Sequence, residues 1–138
     1  MKFSAKTDYA CRALLELSLH WPNKEPMQLS TIAKKQKIPI QFLNHILIQL
    51  KQLKYVESSR GKNGGYILAK SPDKICLSDV VEDLGHELTQ KNTSLKRHVF
   101  KEVWDTIDQL VLETMKKITF ETLVHKYNAQ QSVLTYQI

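Results

Sequence analysis

A mainly α-helical fold of the winged helix-turn-helix class, with a two-stranded wing and a long C-terminal dimerisation helix, is predicted by three features of the sequence. Three helical patterns follow one another within the first 53 residues. A hairpin pattern centred on "RGKNGG" comes next, and one long, apolar-striped segment stands beyond it. At 138 residues the chain is long enough to bury a core without disulfide or metal staples. We expect residues 1–84 to form the winged domain, and residues 85–138 the dimerisation helix and tail.

The first helix is predicted over Lys6–His20, where Tyr9, Ala10, Ala13, Leu14 and Leu17 recur at helical spacing, with Ser4 or Thr7 as its cap. "WPNKEP" breaks it. In "LSTIAKKQK", Ile32 and Ala33 face inward while Lys34, Lys35 and Lys37 face water. Pro39 stops this second helix, because the residue before a proline is pushed out of the α region, and then suits the first turn of the next. That third helix, about Ile40 to Leu53, places Leu43, Ile46, Leu47, Leu50 and Leu53 on one side. Gln41, Phe42, Asn44, His45 and Lys51 lie outside the stripe. "KYVESS" and "YILA" read as two strands joined by "RGKNGG". Gly64 and Gly65 are expected to let the backbone turn, Asn63 to tolerate a positive φ, and either Tyr66 or Ile67 to anchor the hairpin.

Further on, "LSDVVEDL" is predicted to be a short helix capped by Ser78 and ended by Gly85. After the polar "HELTQKN", Thr93 to Ile118 is predicted to be a helix of about seven turns. Its apolar positions are Leu95, Val99, Val103, Ile107 and Leu110, with Phe100, Trp104, Val111, Met115 and Ile118 alongside. A stripe that wide outruns what a small winged domain covers, so the segment is read as the dimerisation helix. "TFETLVHKY" is expected to be a short closing helix, and nothing patterned follows Asn128.

The net charge of +6 is unevenly placed. Residues 1–70 hold twelve Lys or Arg against four Asp or Glu, a net of +8, whereas residues 71–138 hold eight against ten, a net of −2. An anionic partner is expected to meet the first half. The two cysteines, Cys11 and Cys76, make no disulfide framework, which fits a reducing, cytoplasmic setting. No apolar run approaches the length of a membrane span. The five histidines are scattered, no nucleophile or zinc motif is present, and "RGKNGGY" lacks the Gly-Lys-Ser/Thr ending of a phosphate loop. Enzyme chemistry therefore has no constellation behind it.

In a helix-turn-helix the second helix of the unit lies in the major groove with its N-terminal residues on base edges. Gln41 and Asn44 can pair bidentately with adenine there, and Phe42 can pack on a thymine methyl or else belong to the core. Lys34, Lys35 and Lys37, with Lys2, Lys6 and Arg12, are expected either to touch phosphate or simply to form a solvated face.

"MKFSAKTDYACRALLELS", "LSTIAKKQKIPIQFLNHILIQLKQLKYVESSRGKNGGYILAKSPDKICLSDVVEDL" and "ITFETLV" resemble the Rrf2 family of bacterial transcriptional regulators, whose members include the IscR, NsrR and CymR types. The family's wing reads roughly R-G-x-x-G-G-Y, filled here by Arg60, Gly61, Gly64, Gly65 and Tyr66. The resemblance implies a homodimer that binds double-stranded DNA at an inverted repeat, mostly as a repressor. It places base reading on Gln41, Phe42 and Asn44 and minor-groove contact on Arg60. The full expected DNA-contact set is Gln41, Phe42, Asn44, His45, Arg60, Lys62, Lys34 and Lys35. Many members hold an iron–sulfur cluster through three cysteines before the dimerisation helix, but "GHELTQKNTSLKRH" contains none. Neither Cys11 nor Cys76 matches a family ligand, and His86 or His98 is at most a relic. The chain thus resembles the cluster-free branch, which implies no cofactor and a small ligand, a partner protein or a thiol as signal. Burial is the leading expectation for Cys11 and for Cys76. The alternative function is a protein-binding adaptor that keeps the fold without operator binding.

Overall fold

The Ser4 hydroxyl starts the first helix by accepting the Thr7 backbone N–H at 3.2 Å, which settles the cap on Ser4. Helix α1 then runs over Ala5–His20 and buries Ala10, Ala13, Leu14 and Leu17. The computed structural model describes residues 2–86, 88 and 98–136. Helix α2 spans Leu29–Gln36 and α3 spans Ile40–Gln52. They are joined by a tight turn in which Lys37 adopts φ 54° and ψ 47°, the left-handed conformation. The Lys37 and Ile38 N–H groups both donate to the Ala33 carbonyl, and Ile38 plugs the turn into the core. Pro39 stands at the N-cap of α3, one position before the predicted first turn. The inner face of α3, Leu43, Ile46, Leu47 and Leu50, is buried as its spacing demands.

Strands β1, Val56–Ser59, and β2, Gly65–Leu68, pair antiparallel with Val56 opposite Leu68 and Ser59 opposite Gly65. A residue from outside the hairpin extends the sheet. Met27 donates its N–H to the Tyr66 carbonyl at 2.9 Å and accepts the Tyr66 N–H at 2.8 Å. The wing is thereby tied to the chain just before α2.

A short 3-10 helix, Pro72–Lys74, leads to α4, Leu77–Asp83. Cys76, not Ser78, is the N-cap of α4, and Ser78 is buried inside the helix. Gly85 ends it as expected, at φ +92° with its N–H on the Glu82 carbonyl. The long apolar helix, α5, spans Val99–Lys116, about five turns. His98 caps it by accepting the Phe100 N–H on Nδ1, while residues 93–97 of the predicted helix, Leu95 among them, lie outside the described residues.

The closing segment is not short. Helix α6 spans Phe120–Tyr136, 17 residues, well past Asn128. "AQQSVLTY" has neither glycine nor proline to stop a helix, and its lack of an apolar stripe hid it. Phe120 is fully buried in the main core beside α1, and Leu123 packs against the same cluster. Backbone bonds from Leu77 to Ile118 and from Phe120 to Ile75 pin the start of α6 to the segment before α4. A second, smaller cluster joins Val81, Leu88 and Met115, with Phe3, Leu77, Val111 and Leu112 at its rim.

Candidate nucleic-acid interface

Because Leu43, Leu47 and Leu50 are wholly buried, the helical period turns Gln41, Phe42, Asn44 and His45 outward together, and all four are exposed. Phe42 is 61% exposed, so it is a surface residue and not part of the core. Ile40 and Ile48 share this face, a feature the sequence stripe did not single out. Phe42 leans toward α1, its ring centroid 6.5 Å from that of Tyr9. Between the two helices lies a groove of about 440 Å³ lined by Ala5, Lys6, Tyr9, Phe42, His45, Ile46 and Gln49. Arg12 sits 5.7 Å over the Tyr9 ring, pairs with Asp8 at 2.7 Å and donates to the Gln36 carbonyl at 3.4 Å. The Gln36 amide in turn donates to the buried Glu16 carboxylate at 3.0 Å. These bonds fix the end of α2 on α1, and with it the entry angle of α3.

Arg60 and Lys62 are exposed at the tip between the two strands. The positive φ of the turn falls on Gly61, at +105°, and not on Asn63. Gly64 and Gly65 are needed for close approach: a Cβ at Gly64 would stand 2.4 Å from the Ser59 carbonyl oxygen, and one at Gly65 2.4 Å from that of Met27. Tyr66 is the residue that packs on the core, which resolves the choice between it and Ile67. Further ties brace the wing. Lys51 on α3 donates to the Ser58 hydroxyl at 2.6 Å, and the Gln28 amide donates to the Lys62 carbonyl at 3.5 Å. The Tyr55 hydroxyl donates to Asp83 at 2.6 Å. Burial, then that bond and the Asp83 charge, push the Tyr55 phenol above its ordinary range. No local pattern in the sequence signalled Met27, Gln28 or the Tyr55–Asp83 pair, whose partners stand far apart in the chain.

Lys34, Lys35 and Lys37 are exposed on α2 and its turn. On α5, Val99, Phe100, Val103, Trp104, Ile107 and Leu110 are all exposed, Val99 by 67%. Phe100 and Trp104 stack at 5.8 Å along that face. Val111, the last of the expected set, is half-buried and packs within its own chain against the cluster of Val81 and Met115. The thiols are half-buried on separate elements. Burial, with Asp8 adding to it, pushes the Cys11 thiol from 9.0 to about 11. The Cys76 thiol lies 3.2 Å from the Ser78 hydroxyl and donates to the Lys116 carbonyl at 3.4 Å. His86 contacts the Phe3 ring at 4.8 Å and His98 caps α5. Among the described residues, no group of three or more His, Cys, Asp or Glu is placed to hold a metal ion, and no helix is long and apolar enough to cross a membrane.

A short helix, a tight turn, a helix with an open N-terminal face and a braced two-stranded wing define a winged helix-turn-helix regulator of transcription. The chain belongs to the Rrf2 family, whose model, described as an iron-dependent transcriptional regulator, matches residues 3–126. It is 30% identical to a Synechocystis sp. protein with the provisional name HTH-type transcriptional regulator slr0846, over 96% of this chain and 93% of that one. It is 28% identical to the HTH-type transcriptional regulator IscR of Sodalis glossinidius, over 90% of this chain and 79% of the relative. Among solved structures, T. potens IscR superposes with a TM-score of 0.81 at 28% identity, covering 95% of this chain and 91% of that one. CymR (YrzC), the global cysteine regulator of B. subtilis, gives a TM-score of 0.83 at 27% identity, covering 91% and 98%. The family is one of DNA-binding transcriptional regulators, not of enzymes.

Proposed function

We propose that this chain is a cytoplasmic repressor that binds an inverted-repeat operator as a homodimer. In that reading α3 enters the major groove with Gln41, Phe42, Asn44 and His45 on base edges. Arg60 enters the adjacent minor groove, and Lys34, Lys35 and Lys62 meet phosphates. The observation that carries the reading is that the four α3 residues and Arg60 are all exposed, on two elements joined by the Lys51–Ser58 bond, with the wing held to the segment before α2 by the Met27–Tyr66 bridge. The open apolar face of α5 supports the homodimer, because six large apolar side chains along one helix form a surface that a second copy can cover.

The same proposal includes no iron–sulfur cluster. Two cysteines in the whole chain, one at the middle of α1 and one capping α4, do not fit the thiolate set that such clusters require. A small ligand or a partner protein then carries the signal.

Selecting bound fragments from the source genome tests the function directly. The expected result is an inverted repeat whose binding weakens steeply with salt as counterions are released. Salt-independent capture of a protein, with no DNA fragment selected, overturns the reading in favour of an adaptor. Stoichiometric iron and visible absorbance in an anaerobic preparation overturn the cluster-free part alone.

A further inference from the structure

Between Ile40 and Ile48 the side chains that α3 leaves exposed are Ile40, Gln41, Phe42, Asn44, His45 and Ile48. None is Arg or Lys, the side chains that grip guanine O6 and N7, and none is Asp or Glu, which accept from cytosine N4. Gln41 and Asn44 match adenine N6 and N7. Ile40, Phe42 and Ile48 can offer only apolar contact, and the apolar feature of the major-groove code is the thymine C5-methyl. A neutral His45 has one donor and one acceptor nitrogen, and so can address purine N7, which adenine and guanine share. The lysine of α3, Lys51, lies in its last turn beyond this stretch and donates to Ser58 of the wing.

Phe42 is also held in place for such a contact. Tyr9 stands behind its ring at 6.5 Å, and Tyr9 is itself covered by Arg12, which Asp8 holds. The apolar groove beside the ring, between Ala5, Tyr9 and Ile46, leaves one flank of Phe42 open. The wing adds an independent preference, since an arginine favours the narrow minor groove of A-tracts.

We propose that each operator half-site has an A·T-rich core, read by α3 through adenine edges and thymine methyl groups, with Phe42 the principal methyl contact and Tyr9 the residue that positions it. This rests on the DNA-binding function proposed above. Burying one methyl is worth about fourfold in affinity.

The test uses the full-length chain and a random duplex library. Binding to the selected duplex is then measured with each half-site thymine replaced in turn by deoxyuridine, which lacks only the methyl. The expected result is an A·T-rich half-site with at least one thymine where uridine weakens binding about fourfold, and about sixteenfold when both half-sites are changed. Phe42→Ala should weaken binding to the thymine duplex and lose the response to uridine there, whereas Phe42→Leu should keep part of it. Tyr9→Leu should shrink the thymine–uridine ratio. A G·C core, or uridine substitution without effect at every position, overturns the proposal and leaves the regulator function standing. A Phe42→Ala protein that melts like the parent and still discriminates uridine overturns the role of Phe42. Failure to select any sequence at all overturns the function itself.

Discussion

Apolar side chains of like size meet opposite fates in the two halves of this protein. In the winged half, Leu14, Leu43, Leu47 and Leu50 are wholly buried, because α1, α2 and the wing close over α3 from several sides. Along α5, Val99, Phe100, Val103, Trp104, Ile107 and Leu110 stay open, and among the described residues the helix packs into its own chain near its C-terminal end, through Val111, Leu112 and Met115. Both helices are amphipathic. The difference teaches that helical spacing tells which face seeks cover, and only the surrounding elements tell whether one chain supplies it.

That contrast is broken most strongly from the closed side. Leu47→Ala should cost about 2–5 kcal/mol of folding stability, because a fully buried leucine leaves a cavity behind. Chemical denaturation of the purified protein measures it, and a loss below about 1 kcal/mol would mean that the core is looser than its burial indicates. On the open side, Ile107→Asp should act on association instead. We expect the proposed dimer to weaken by at least about 2 kcal/mol, the scale of a hot-spot residue, with helix content retained. Sedimentation equilibrium reads the association, and circular dichroism the helix. A variant that unfolds as a monomer would show that the α5 face belongs to an internal core after all.

How much of this was legible follows from where each signal resides. Helical spacing is local, so α1, α2, α3 and the stripe of α5 could be read from the sequence, as could the hairpin from its glycines. The full length of α6 was hidden, since its second half carries only Val133 and Leu134 as large aliphatic residues and no stop signal is needed where the helix simply continues. Met27 was hidden for another reason: a single-residue bridge to Tyr66 leaves no periodic trace. The glycine pair is legible as a backbone need, and Gly65 does take φ +157°, but the nearness of the Ser59 and Met27 carbonyls is a tertiary fact. On the exposed face of α3, the spacing left Gln41, Phe42, Asn44 and His45 outside the buried stripe. The ambiguity of Phe42 is resolved only by the tertiary packing that leaves its ring exposed.

A smaller effect separates the wing from the core it stands on. Arg60 is exposed and has no core neighbour to lose, so Arg60→Ala should leave thermal stability within about 0.5 kcal/mol of the parent. Operator affinity should fall by about 1.5–3 kcal/mol, the value of a charge-assisted contact. Fluorescence anisotropy with the selected operator, run beside a thermal melt, checks both. Unchanged affinity would remove the wing from the interface.

The smallest expected effect lies at the turn between α2 and α3, where the closed half keeps a residue in an unfavourable conformation. At φ 54° Lys37 sits in the left-handed region, which disfavours any side chain with a Cβ and suits glycine. Its backbone bonds to Ala33 and the burial of Ile38 hold it there. Lys37→Gly removes the steric conflict and should stabilise the fold, by up to about 1 kcal/mol after the added chain entropy of glycine is offset. The same change deletes an ammonium group beside the start of α3, so DNA binding should weaken evenly across sequences, and the salt dependence should drop by about one phosphate contact. Gains in stability and losses in affinity from one substitution would mean that the lysine is kept at that turn for the DNA and against the fold. A loss of both would show instead that the Lys37 side chain supports the turn it strains.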